Sequence, residues 1–280
     1  MQGRLSPSPS GRIQEFPRST WEREFALARE CGFDSIEWVF EAENHIGNPL
    51  WTDGGVDRIR RVATTSGVDV LSVCADYFMS HPLTASDHEA RLEALRVLRR
   101  LIEQSAAVGA ERVVIPVLEH AGLHAKADTR QLEESLRDAL GIAAEHGLEL
   151  ALETELTAQE AREFVGRFDA LPPRVLYDLG NSAALGYDAA CEIRLLGAAI
   201  TEVHVKDRIR GGQTVPLGTG DTDLAGAFAA LHDIGFRGPY VLQAAPGNPG
   251  REAETAAAYL RLVRHLLEAA EPGPAGHRAS

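Results

Sequence analysis

Short apolar runs alternate along this chain with longer stretches whose apolar residues recur every three to four positions. The short runs are Ser35–Val39, Val68–Cys74, Arg112–Val117, Leu148–Leu152, Val175–Asp178, Thr201–Val205 and Tyr240–Gln243. Several are apolar without a break, as in Val113-Val114-Ile115 and Leu150-Ala151-Leu152. Such runs suit parallel strands buried on both faces. The longer stretches predict amphipathic helices. Thr20–Cys31 sets Trp21, Phe25 and Ala28 on one face, and His88–Ala107 does the same with Leu92, Leu95, Leu98, Leu101 and Ile102. Gln131–His146, Thr222–Ile234 and Ala253–Leu267 follow the same rule.

Gly32, Gly67, Gly109, Gly147 and Gly235 each close a helical stretch just ahead of a strand, where a left-handed residue ends a helix. Met1–Leu5 supplies an eighth strand. Eight strands in unbroken alternation with helices or long connections predict an α/β fold, a single (β/α)₈ TIM barrel over residues 1–270. Residues 271–280 carry Pro272, Gly273, Pro274 and Gly276 and are expected to form a disordered tail. No GxGxxG follows a strand, which disfavours a dinucleotide-binding domain.

Composition narrows the function. The chain has 280 residues, 44% hydrophobic and 25% charged, the mix of an ordinary globular protein. A net charge of -13 opposes binding to nucleic acid or an anionic membrane. No stretch nears the roughly 18 continuous apolar residues of a membrane span. The opening residues lack the apolar core of a signal peptide, and a cytoplasmic location is expected. Cys31, Cys74 and Cys191 are odd in number and scattered, so free, buried thiols are expected rather than a disulfide framework.

In barrels of this kind the chemistry sits at the C-terminal ends of the strands. Reading the polar residue at each predicted end gives Glu37, Asp76, Glu119-His120, Glu153, Asp178, His204 and Gln243. Unpaired, such a ring would be costly to bury, and a divalent cation resolves the cost. Glu153, Asp178, His204 and Gln243 offer three oxygens and one nitrogen. That set suits one hard or borderline ion: Mn²⁺ or Mg²⁺ first, with Zn²⁺, Co²⁺ or Fe²⁺ also compatible. Gly218-Thr219-Gly220 offers a turn able to cradle a phosphate, and Lys206-Asp207 can be read as a surface ion pair. Trp38, Phe40, Trp51, Tyr77 and Phe78 follow two of the strands, where they can wall a pocket or pack the core.

The runs Leu150-Ala151-Leu152-Glu153, Tyr177-Asp178-Leu179-Gly180-Asn181, Val203-His204-Val205-Lys206-Asp207 and Pro216-Leu217-Gly218-Thr219-Gly220 resemble the sugar phosphate isomerase/epimerase family. These are the xylose isomerase-like TIM barrels related to endonuclease IV. The resemblance spans Met1 to about Leu267. It implies a metal held by Glu, Asp, His and Glu, and the first three fall on Glu153, Asp178 and His204. At the fourth position this chain carries Gln243, whose oxygen can ligate an ion but cannot act as a base.

The expected activity is isomerisation or epimerisation of a sugar, cyclitol or related hydroxyketone through an enediolate. Glu153 is the candidate base and Lys206 the candidate proton carrier or oxyanion partner. Glu119, Asn181 and Arg208 are expected to bind the substrate. A second acid or base is sought among Glu155, Glu119, Glu37 and Lys206. Two alternatives remain open at this point: a metal-dependent lyase or dehydratase on a similar substrate, and an inactive sugar-binding barrel. A three-zinc phosphodiesterase is a third alternative, opposed by too few histidines at the rim and by the charge; a count of one metal ion per chain would exclude it. The resemblance also implies a homodimer or homotetramer.

Overall fold

A computed structural model describes residues 1–2, 5–7, 12 and 14–271 of the chain. Seven parallel strands follow one another in a single sheet, each bonded to the next: β1 Ser35–Val39, β2 Asp69–Cys74, β3 Arg112–Val117, β4 Glu149–Thr154, β5 Arg174–Asp178, β6 Ile200–Val205 and β7 Tyr240–Leu242. The first two residues stand between β7 and β1. Gln2 N donates to Leu242 O at 3.0 Å, Glu37 N donates to Met1 O at 2.9 Å, and Gln2 bridges Glu37 in parallel. This contact takes the eighth position of the barrel. The rest of the expected first strand includes Gly3 and Arg4, which lie outside the described residues, as do residues 272–280 of the expected tail.

Helices lie between the strands, and the expected ones recur with shifted ends: Trp21–Cys31, His88–Val108, Lys126–Glu145, Leu224–Asp233 and Glu252–Ala270. The helix before β3 ends at Gly109, whose φ of 87° an L side chain rarely adopts. Helices Asp53–Ser66, Ala158–Val165, Leu179–Leu185 and Ala189–Leu196 complete the alternation, with a single turn at Tyr77–Ser80. None of the described helices is long and apolar enough to cross a membrane.

Side chains on the outer face of the strands join those of the helices in one large core. On the opposite face, Cys74, Val114, Ala151 and Leu176, one from each of β2–β5, form a small separate cluster inside the barrel. Strand residues two apart share a face. Two positions beyond Ala151 and Leu176 come Glu153 and Asp178, and two beyond Glu202 comes His204. This alternation turns the ligand-type residues into the barrel mouth. Of the three cysteines only Cys74 is buried; Cys31 is half-buried and Cys191 is exposed on the outer side of its helix. A sparse apolar run beside a cysteine is a weak signal for burial when the helix presents it to solvent.

Candidate active site

Glu153, Asp178 and His204 each place one ligand atom within 4.8 Å of the others, and all three side chains are buried. His204 is held from below. Its Nε2 lies 2.9 Å from Glu37 Oε1 and 3.5 Å from Glu202 Oε1. Those side chains are fixed in turn: Ser72 Oγ lies 3.0 Å from Glu37 Oε2 and 3.3 Å from Glu202 Oε1, with one hydroxyl proton between them, and Arg112 Nη1 donates to Glu202 at 3.2 Å. Nε2 faces these two carboxyls at ion-pair distance, and the ring turns Nδ1 toward Asp178, 3.9 Å away. Nδ1 is buried and has no hydrogen-bond partner among the described residues.

An orphaned buried nitrogen beside two carboxylates fits a cation held by Glu153, Asp178 and His204. Glu37, Glu202 and His204 also lie within 4.8 Å of one another. There Arg112 donates to Glu202 Oε2 and Ser72 lies against Glu37 Oε2 and Glu202 Oε1, while Glu37 Oε1 faces His204 Nε2 at 2.9 Å as an ion pair, so that group is built to support the imidazole.

Charge follows the same layout. Burial raises the Glu153 carboxyl to about 7, and Asp178 adds to the rise. Burial also works against an ionised Asp178, but the Lys206 ammonium 2.7 Å from Oδ2, together with His204, outweighs it and holds Asp178 below the usual carboxylate range. Burial disfavours a charged His204, yet Glu37 and Glu202 at Nε2 raise it well above an ordinary histidine. Burial, then Glu202, pushes Glu37 up to about 8 against the pull of His204.

Gln243 is buried at the end of β7, with both amide atoms engaged. Its Oε1 accepts from Lys206 Nζ, and its Nε2 donates to Gln14 Oε1 at 3.0 Å. Gln14 Nε2 donates to Asp76 Oδ2 at 2.6 Å, and Cys74 Sγ donates to Asp76 Oδ1 at 3.2 Å. Lys206 thus joins Asp178 to Gln243 rather than pairing with Asp207. A Cβ on Gly180 would come within 2.8 Å of Lys206 Cγ, so the glycine two residues after Asp178 lets the lysine stem pass.

Asn181 and Arg208 join the site through Glu153. Asn181 Nδ2 donates to Glu153 Oε1 at 2.8 Å, and Arg208 Nη1 donates to Asn181 Oδ1 at 2.8 Å, while Nη2 is held by Gly212 O. Glu119 stands apart on an exposed turn with a left-handed φ of 48°, and its backbone N donates to Glu155 Oε2 at 3.1 Å. Glu37 lies beneath His204. Asp207 is 1% exposed and accepts from Gly218 N, Gly220 N and Thr222 N at 2.8, 2.9 and 3.2 Å. The glycine turn therefore cradles the chain's own carboxylate in place of a phosphate.

Among the aromatics, Phe40 packs on Trp51 and Tyr77, with His45 against all three. Trp38 instead joins Phe16 and Trp21. A cavity of about 270 Å³ lined by Leu242, Ala244, Glu252 and Tyr259 does not include Gln243 and lies on the other face of β7.

Gln14, Glu202 and Arg112 escaped the strand-end reading. Glu202 carried a usable signal, because it sits two residues before His204 and shares its inward face. Gln14 follows the opening segment in a region without periodicity and carried none.

Fold and site together define a (β/α)₈ barrel with a metal-competent mouth. The sequence model of one family, described as xylose isomerase-like TIM barrel, matches residues 25–263, and the chain belongs to that family. It is 28% identical over 232 residues to the L-ribulose-5-phosphate 3-epimerase UlaE of Salmonella heidelberg (strain SL476), covering 80% of this chain and 81% of that one. A D-psicose 3-epimerase from Clostridium cellulolyticum H10, solved with D-tagatose, superposes with a TM-score of 0.73 at 19% identity, over 88% of this chain and 93% of that one. A xylose isomerase-like TIM barrel protein from Mycobacterium smegmatis, solved with magnesium, gives 0.69 at 19% identity, over 95% and 94%.

Proposed function

We propose that this protein is a divalent-metal-dependent epimerase or isomerase acting at the carbon next to the carbonyl of a ketose or related hydroxyketone. That it is an enzyme of the sugar isomerase and epimerase kind follows from its family and relatives. The convergence of Glu153, Asp178 and a partnerless His204 Nδ1 carries the metal reading. Gln243 would complete the ligand set by giving up its bond from Lys206. Mn²⁺ or Mg²⁺ suits these donors best, and magnesium is the ion bound by the Mycobacterium smegmatis neighbour.

A bound ion would supply a Lewis acid for the substrate's oxygens. Glu153, near neutrality and oriented by Asn181, would take the proton next to the carbonyl. Lys206 would face the oxygen that gains charge. Asn181 and Arg208, joined to Glu153, would contact the substrate's other hydroxyls. A cytoplasmic enzyme, with one barrel over residues 1–270 and a dimeric or tetrameric assembly, agrees with this reading.

The test is incubation of the Mn²⁺-loaded protein in D₂O with L-ribulose, D-psicose, D-tagatose and their phosphates. Deuterium should enter next to the carbonyl with no loss of mass as water. Loss of water would favour the lyase, and no exchange across the panel with metal bound would favour the inactive barrel.

A further inference from the structure

Inverting a stereocentre next to a carbonyl needs two groups, one to take a proton from one face and one to deliver a proton to the other. Glu153 serves the first face. Gln243, the amide just past β7, has no acidic proton to deliver and is tied at both ends. Its Nε2 leads through Gln14 to the carboxylate of Asp76.

We propose that Asp76 is the second acid–base group of this site, delivering a proton to the substrate face opposite Glu153. The assignment rests on the epimerase reading above. Its first support is position. Asp76 stands just past Cys74, the last residue of β2, which shares one small inward core with Ala151 and Leu176 of the strands that carry Glu153 and Asp178. Its Oδ1 receives the Cys74 thiol, which fixes the carboxylate on the inner side.

Its second support is a role left unfilled. Asp76 precedes the turn Tyr77–Ser80, where an aspartate ordinarily accepts from the next turn's N–H groups, yet it makes no such bond. The carboxylate faces Gln14 and Cys74 instead.

Its third support is charge. Among the described residues no Lys or Arg pairs with Asp76, and burial raises it to about 6, so it can hold a proton near neutrality. It also contributes to the rise at Glu153, so the two carboxyls lie within electrostatic reach of each other.

The step balances. Glu153 carboxylate takes the proton as the carbon–hydrogen bond breaks, and its electron pair becomes the enediolate. The Asp76 carboxylic acid then gives its proton to the same carbon from the other face. Glu153 ends protonated and Asp76 ionised, and one exchange with solvent resets both.

The test compares wild type with Asp76→Asn, which keeps the shape and a partner for Gln14. Each is loaded with Mn²⁺ in D₂O and given the same ketose panel. Inversion should fall about 100-fold or more, the usual scale for a lost acid–base group. Deuterium should still enter the epimer whose proton Glu153 takes, within about tenfold of wild type, and Mn²⁺ affinity should be unchanged. Asp76→Glu should recover part of the inversion. Asp76→Ser is scored by the same criteria if the amide variant does not fold. Unchanged inversion in Asp76→Asn would overturn the assignment, as would a parallel loss of inversion, exchange and Mn²⁺ binding, which marks a merely structural residue. No exchange by wild type would remove the epimerase reading and this assignment with it.

Discussion

Lys206 Nζ lies 2.7 Å from Asp178 Oδ2 and donates to Gln243 Oε1, so one ammonium joins two groups of the strand-end ring. It keeps Asp178 ionised, where burial alone would favour the protonated form. Removing one partner of such a buried pair costs about 3–5 kcal/mol. Lys206→Met should therefore destabilise the metal-free protein by that order in urea unfolding. Excess Mn²⁺ should restore most of the loss, because the ion replaces the missing charge. Turnover should still fall about 100-fold, the scale of one lost oxyanion partner. A variant as stable as wild type without metal would show that the pair contributes nothing.

Glu202 acts on the ion through His204. Glu202→Gln removes one of the two carboxylates at Nε2 and leaves Arg112 without its buried partner. Changes to groups that orient a ligand typically cost 10–100-fold in metal affinity. Titration calorimetry with Mn²⁺ should show a loss in that range while stoichiometry holds. Wild-type affinity would mean that the imidazole is oriented without Glu202.

The pH dependence of metal uptake follows from two protons. Glu153 titrates at about 7 in the metal-free protein, so below that value an ion must displace its proton. His204 is raised well above an ordinary histidine, and its Nδ1 must also be free to ligate. Affinity should thus rise with pH, more steeply below about 7 than above it. Calorimetry in buffers of different ionisation enthalpy should find one fewer proton released per ion at pH 8 than at pH 6. A constant release across that range would contradict the raised carboxyl.

Asp207 should matter for the fold more than for chemistry. Its carboxylate accepts three backbone N–H groups of the loop after β6. Leaving a buried donor without a partner costs about 1–3 kcal/mol. Asp207→Ala should lower stability by about 3 kcal/mol and speed amide exchange at Gly218 and Gly220, with Mn²⁺ still bound.

Much of this was legible beforehand, for identifiable reasons. β1 and β3 begin and end where the apolar runs Ser35–Val39 and Arg112–Val117 do, because buried parallel strands tolerate little else. Asp53–Ser66 buries only Val56 and Ile59, too few to mark a helical face. Leu179–Leu185 starts directly after Asp178 and is too short to show a period. Ala158–Val165 did carry a signal in the Thr157–Glu160 capping box. At the site, strand parity turned Glu153, Asp178 and His204 inward, and parity can be read from sequence. The engagement of Gln243 by Lys206 and Gln14 could not be, since it depends on which rotamer each long side chain adopts across the mouth.

Mn²⁺ titration of the metal-free protein, followed by calorimetry and by the ion's paramagnetic resonance spectrum, tests the shared ligand set most directly. Wild type should bind one ion per chain, and Asp178→Asn and His204→Ala should each weaken it at least about 100-fold, more than the loss of an outer partner. Undiminished binding in both variants, or no uptake by wild type of Mn²⁺, Mg²⁺, Co²⁺ or Zn²⁺, would contradict it.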